Sequence, residues 1–160
     1  MIFTKKVCYE DIRKQLDKDT DTISLVGCET CARVAGTGGQ ARMKELALQL
    51  RKDGYKVKDG FLIPTVCTPK LGFAKVGSDV NTILSLACNA GTSNIRRFFP
   101  NCKIVETTED VGLMIEDAKE ETLQITMSYD KFTMEIGNTF EAFTGVRKDS
   151  INAMVSKEAR

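Results

Sequence analysis

Four cysteines stand where thiolates could share a metal: Cys28, Cys31, Cys67 and Cys88. Cys28 and Cys31 form a Cys-x-x-Cys in LVGCETCARVAGTGGQ (25–40), where an apolar run gives way to a glycine-rich bend. The chain has six cysteines and no histidine. A Ser-His-Asp triad, a Cys-His dyad and a histidine-ligated catalytic zinc are therefore excluded. In a reducing compartment six cysteines do not read as three disulfides, and the Cys-x-x-Cys spacing points to metal or redox chemistry. An all-thiolate set suits zinc or an iron–sulfur cluster, and a Cys-x-x-Cys alone also suits a thiol-redox pair.

The elements that must position these residues follow from the apolar pattern. TISLVG (22–27) is a continuous apolar run of strand length ending at Cys28, which suits a strand buried on both faces. DGFLIPTV (59–66) leads into Cys67, and its Pro64 places that strand at an edge or distorts it. NTILSLA (81–87) leads into Cys88, and KIVET (103–107) closes the series. Between them, Met43, Leu46, Ala47 and Leu50 recur at helical spacing before Gly54, and residues 92–99 read as a short helix stopped by Pro100. Residues 9–18 read as a further short helix, through Ile12 and Leu16.

Strands alternating with helices predict one α/β domain over 1–160, an open, mostly parallel, doubly wound sheet of Rossmann or flavodoxin type. Its core spans about 5–110, with a less regular C-terminal extension over about 111–160 that holds a strand at 122–129 and a helix or frayed end in DSINAMVSKEAR. In such a sheet ligands gather outside the carboxyl ends of the strands. Cys28, Cys67 and Cys88 each follow a strand there and Cys31 comes along on the first loop, so four thiolates can meet at one point. AGTGGQ would let the backbone pass close to a bulky centre. The competing reading is that Cys67 and Cys88 are ordinary buried thiols. Cys8 and Cys102 are read as buried thiols, placed where reaching the crevice would mean crossing the sheet. The glycine stretch matches neither phosphate-loop pattern.

Composition narrows the partners. With 23 basic and 22 acidic residues and a formal charge of +1, and no dense basic run, neither nucleic acid nor an anionic membrane is an expected partner. The N-terminus reaches charge too soon for a signal peptide and no apolar run approaches the roughly 20 residues of a membrane span, so a cytoplasmic location is expected. EDAKEE (116–121) reads as a solvated helix face, and with no tryptophan no stacking platform is evident.

The stretches VGCETCARVAGTGGQARMKELALQL, TVC and ILSLACNAG together resemble the small subunit or C-terminal domain associated with methylene-tetrahydrofolate reductases of anaerobic bacteria, over roughly residues 5–110. The resemblance implies that Cys28, Cys31, Cys67 and Cys88 bind metal or an iron–sulfur cluster. It further implies that the chain is an accessory electron-transfer subunit holding one [4Fe–4S] cluster, not catalytic alone. Its partner would be a flavin-containing methylene-tetrahydrofolate reductase-like subunit or a corrinoid methyltransferase system of one-carbon metabolism. A four-cysteine zinc module that recognises a partner is the alternative. Loop residues such as Thr30, Thr37 and Asn89 would be buried only in that complex. The sequence departs from the family at Ala35, where a third cysteine is usual in the first motif, and at Asn89, where glycine is usual; the first departure leaves thiols for one centre, not two.

Overall fold

The computed structural model describes residues 1–69, 71 and 75–148. It contains a four-stranded parallel sheet and a separate four-stranded antiparallel sheet. The parallel sheet takes strands β2 (Thr22–Cys28), β3 (Lys56–Ile63), β4 (Thr82–Leu86) and β5 (Lys103–Glu106) in the order β3-β2-β4-β5. The antiparallel sheet takes β1 (Ile2–Lys6), β6 (Thr108–Asp117), β7 (Thr122–Ser128) and β8 (Thr139–Glu141) in the order β1-β6-β7-β8.

In the parallel sheet the apolar runs behave as their composition dictates. Every residue of β2 and β4 is buried, and alternate side chains enter different clusters: Val26, Cys28 and Ile83 in one, Ile23, Leu25, Leu84 and Leu86 in the other. The helix α3 (Gly39–Lys52) contributes Leu46 and Leu50 to the second cluster, and α4 (Asn89–Phe98) contributes Ile95 to the first. Gly54 follows α3 with φ +90°, the left-handed turn its composition calls for. β3 is an edge strand, as Pro64 directly after it suggested.

The doubly wound expectation does not hold. Four of the eight strands lie outside the parallel sheet and pair antiparallel. The passage from β3 to β4 also lacks a helix among its described residues, because Pro64, Pro69, Gly72 and Gly77 punctuate that stretch. The supposed extension after 110 is integral to the second sheet, since β1 at the other end of the chain pairs with β6 from Ile2↔Leu113 to Lys6↔Thr108. EDAKEE is not a helix face; it ends β6 and turns into β7. The first helix, α1, is short, Tyr9–Arg13. The expected helix over 149–160 lies outside the described residues.

The two sheets are joined beside the carboxyl end of β4. The Thr107 hydroxyl donates to the Ser85 carbonyl at 2.8 Å, the Thr108 hydroxyl donates to the Ala87 carbonyl, and the Asn89 N–H donates to the Asp110 carboxylate at 3.0 and 3.2 Å. A buried pair of hydroxyls, Thr4 and Thr37 at 2.5 Å, makes a second joint between β1 and the loop before α3. A third core, around Phe3, Val111, Leu123 and Phe140, fills the antiparallel sheet. No helix among the described residues is long and apolar enough to cross a membrane.

Candidate functional site

The three cysteine-bearing loops lie at the carboxyl ends of β2, β3 and β4, and side chains between the cysteines tie them together. Cys28 ends β2, and Glu29 donates its N–H to the Ile63 carbonyl at 2.9 Å. Thr30, inside the Cys-x-x-Cys, donates to the Pro64 carbonyl and shares a hydroxyl contact of 3.1 Å with Thr65. The loop of Cys28 and Cys31 is thereby laced to the loop of Cys67. From the other side, the Asn94 amide nitrogen of α4 donates to the carbonyls of Val66 and Thr68, at 2.8 and 2.6 Å. That bond pair ties the loop of Cys67 to the helix that Cys88 caps.

The thiols differ in environment. Cys28 and Cys88 are each 5 % exposed, Cys31 is half-buried and Cys67 is exposed. Cys88 precedes the first residue of α4, where a helix leaves N–H groups without intrahelical partners. Burial pushes its thiol up; the N–H groups of Gly91 and Ala90, donating to the sulfur, act against burial, while Asp110 and Cys31 add to it. Cys31 thus stands within electrostatic reach of Cys88. Burial is thus the main reason that this thiol keeps its proton, and the helix N–H groups are the feature that favours the thiolate. The Asp110 carboxyl is also raised, chiefly by burial and against the Asn89 N–H.

Within the Cys-x-x-Cys the two thiols part company. Cys28 packs in the cluster of Val66 and Ala87, whereas Cys31 lies against the cluster of Phe3 and Ala35. The helix that follows, α2 (Cys31–Val34), begins at the second cysteine and has 4 residues. A thiol-redox pair ordinarily sits at a helix start, as this one does, but with the two side chains packed against different clusters the geometry gives that chemistry little support.

The glycine-rich bend serves the backbone. A Cβ on Gly38 would lie 2.8 Å from the Cys28 carbonyl oxygen and 3.0 Å from that of Leu86, so Gly38 lets the bend pass between the ends of β2 and β4. Gly36, at φ +78°, meets the backbone of Thr144 in the last turn of the second sheet. Thr37 is already buried within the chain, contrary to the expectation that a partner covers it; Asn89 is exposed and Thr30 half-buried.

Cys102 stays at the opposite edge, its thiol donating to the Val80 carbonyl at 3.7 Å and raised by burial. Cys8 corrects the sequence reading: it is exposed, and it lines the same cleft as Asn89 and Asp110. The antiparallel sheet, of which the sequence indicated only the strand at 122–129, carries it there without crossing the parallel one.

Among the described residues no three His, Cys, Asp or Glu side chains, as placed, form a group able to hold a metal ion. What the fold assembles is the set of loops; the thiols themselves do not converge as placed, with Cys28 and Cys31 against different clusters and Cys67 exposed. Asn94 and Asp110 escaped sequence reasoning, and Thr30 was expected only as a loop residue for a partner to cover. Thr30 was visible as the hydroxyl inside the Cys-x-x-Cys, whereas the partners of Asn94 and Asp110 lie 26 to 28 and 21 residues away. No family model, curated protein or solved structure matches this chain.

Proposed function

We propose that the chain is an accessory subunit that holds one metal centre through Cys28, Cys31, Cys67 and Cys88, the centre being a [4Fe–4S] cluster used for electron transfer. The observation that supports this most is the lacing of the three cysteine loops by Thr30 and Asn94 at one end of the parallel sheet. Thiol-only donors fit iron–sulfur ligation, and N–H donors to a ligand sulfur are one of the means by which a protein sets a cluster's potential. When bound, the cluster supplies one-electron storage. The chain's own part is to hold three loops in register, to exclude water at Cys28 and Cys88, and to leave the Cys67 side open to a partner. The motif resemblance suggests a flavin- or corrinoid-dependent enzyme of one-carbon metabolism as that partner. Zinc on the same four thiols, fixing a recognition scaffold, is the second reading.

Metal analysis of protein purified without oxygen tests both. The expected result is about four irons and four sulfides per chain, with a broad visible absorbance that bleaches on reduction. Serine at Cys28, Cys31, Cys67 or Cys88 lowers the metal content sharply, and Cys102→Ser does not. A colourless protein with stoichiometric zinc replaces the first reading by the second. A metal-free protein, or equal loading in all the variants, overturns both.

A further inference from the structure

The parallel sheet stops at β3, whose outer edge pairs with no strand among the described residues. The Ile63 carbonyl accepts the Glu29 N–H and so faces β2. Peptide groups alternate in direction along a strand, which turns those of Gly60 and Leu62 outward. Among the described residues no hydrogen bond from outside the sheet reaches the backbone of either. Both residues are exposed, Leu62 to 38 %.

Such an edge is a template for another strand unless it is blunted. β3 is blunted at its two ends and not in its middle. At its start the register slips between Ile23 and Ser24, which leaves Lys58 as the extra residue of a bulge, and Lys56 and Lys58 are both exposed. At its end Pro64 has no N–H to give. The open window is residues 59–63, centred on Phe61.

Within that window one side chain protrudes and another is missing. Leu62 stands beside α3 in a groove of about 510 Å³, which Met43, Ala47 and the exposed Leu48 also line. Gly60, on the same face, has no side chain, and a Cβ there would lie 2.7 Å from the Met43 sulfur.

We propose that this window pairs with itself: a second copy of the chain docks antiparallel across a two-fold axis at Phe61, joining the two parallel sheets edge to edge. A two-fold joint needs a surface complementary to itself. Pairing about Phe61 sets Leu62 of each copy opposite Gly60 of the other, an outward-facing pair that exchanges both hydrogen bonds, with the leucine laid towards Met43. It also sets Lys58 opposite Pro64, so the pairing ends where the blunting begins. Charge selects the same direction. Antiparallel pairing keeps the lysines of the two copies at opposite ends of the joint, whereas parallel pairing would lay them side by side. A foreign strand has no reason to carry a bulky residue opposite Gly60 and a gap opposite Leu62; a second copy carries both. The carboxyl ends of the two sheets then point in opposite directions, so each copy keeps its own cysteine loops, and the joint does not depend on what they bind.

Sedimentation velocity on the full chain tests the joint. The mass is expected to rise towards that of two chains as the concentration is raised through the micromolar range, since so short a pairing makes a small interface. Leu62→Lys, which charges the open edge, is expected to weaken association by about tenfold. Ile115→Lys, which replaces an exposed apolar side chain of the antiparallel sheet, leaves association unchanged. Phe61→Cys reports the register, because the Cα atoms of a non-hydrogen-bonded antiparallel pair stand about 4.5 Å apart, within reach of a disulfide. Oxidation by diamide followed by peptide mapping is expected to join the introduced thiols of two chains to each other. A single-chain mass at every concentration, equal weakening by the two lysine variants, or introduced thiols that join only native cysteines overturns the proposal. The masses of the parent and the lysine variants decide it whether or not Phe61→Cys folds.

Discussion

Asn94 brackets Cys67 without touching its thiol: one amide nitrogen holds the carbonyls on either side of it, Val66 at 2.8 Å and Thr68 at 2.6 Å. The position of Cys67 therefore depends on α4, the helix that Cys88 caps. Asn94→Ala is expected to leave the circular dichroism spectrum unchanged and to weaken metal retention against a chelator by roughly thirtyfold, since two hydrogen bonds of about 1 kcal/mol each sum to about 2 kcal/mol. Unchanged retention would show that the Cys67 loop holds itself.

Gly38→Ala tests the close approach between the bend and the strand ends. Its Cβ would meet Ala32 Cβ and the Cys28 carbonyl oxygen at 2.8 Å each and the Leu86 oxygen at 3.0 Å. Two of the three are backbone atoms of buried strands and cannot swing aside. A loss of about 1–3 kcal/mol in urea unfolding is expected, the usual cost of overpacking. A variant as stable as the parent would mean that β2 and β4 separate easily here.

Acid stability is expected to depend on Asp21. Burial pushes this carboxyl up, but the Lys103 ammonium at 2.6 Å, the Asp17 N–H at 2.8 Å and the Thr82 hydroxyl at 3.0 Å together hold it below the ordinary value. A folded-state pKa below the unfolded one means that the unfolded chain takes up the proton first. The stabilisation is thus complete above the unfolded value of about 3.9 and disappears as pH falls through the folded one. Urea midpoints between pH 6 and pH 2 should fall more steeply below about pH 4 for the parent than for Asp21→Asn. Parallel profiles would remove Asp21 from the account.

Ala35→Cys restores the thiol that the resembling family usually carries. Here Ala35 is 2 % exposed and belongs to the core of the antiparallel sheet with Phe3 and Phe140. The new sulfur would enter that core, which Cys31 also borders and Cys28 does not. Metal content is expected to stay at one centre per chain, with a stability loss of about 1 kcal/mol from overpacking. A second full complement of iron would show that the side chain at 35 reaches the thiol edge after all.

The parts of the fold that could be read from the sequence are those whose burial is two-sided. TISLVG and NTILSLA are apolar throughout because both faces of β2 and β4 are covered, and such runs announce a strand without help from their neighbours. Of the antiparallel sheet only β7 could be read, as the strand expected over 122–129. β1 is IFTKK, β6 is TEDVGLMIED, and the register slips between Phe3 and Thr4 and again between Leu113 and Met114, which breaks the alternation a periodicity test relies on. Cys28, Cys67 and Cys88 could be assigned to strand ends because they follow readable strands. Cys8 could not, since its place depends on β1 finding a partner at the other end of the chain.

That pairing has a kinetic consequence. The Met1 amine and the Met114 carbonyl it contacts are 113 residues apart, while the whole parallel sheet is complete between Thr22 and Glu106. A chain growing from its N-terminus makes β1 first and must carry it unpaired until β6 has been synthesised. Non-local pairing of this kind is slow because loop closure must precede its reward. The parallel sheet and its cysteine loops are therefore expected to take shape early, and the joint between the two sheets, which needs residues from both, to close late.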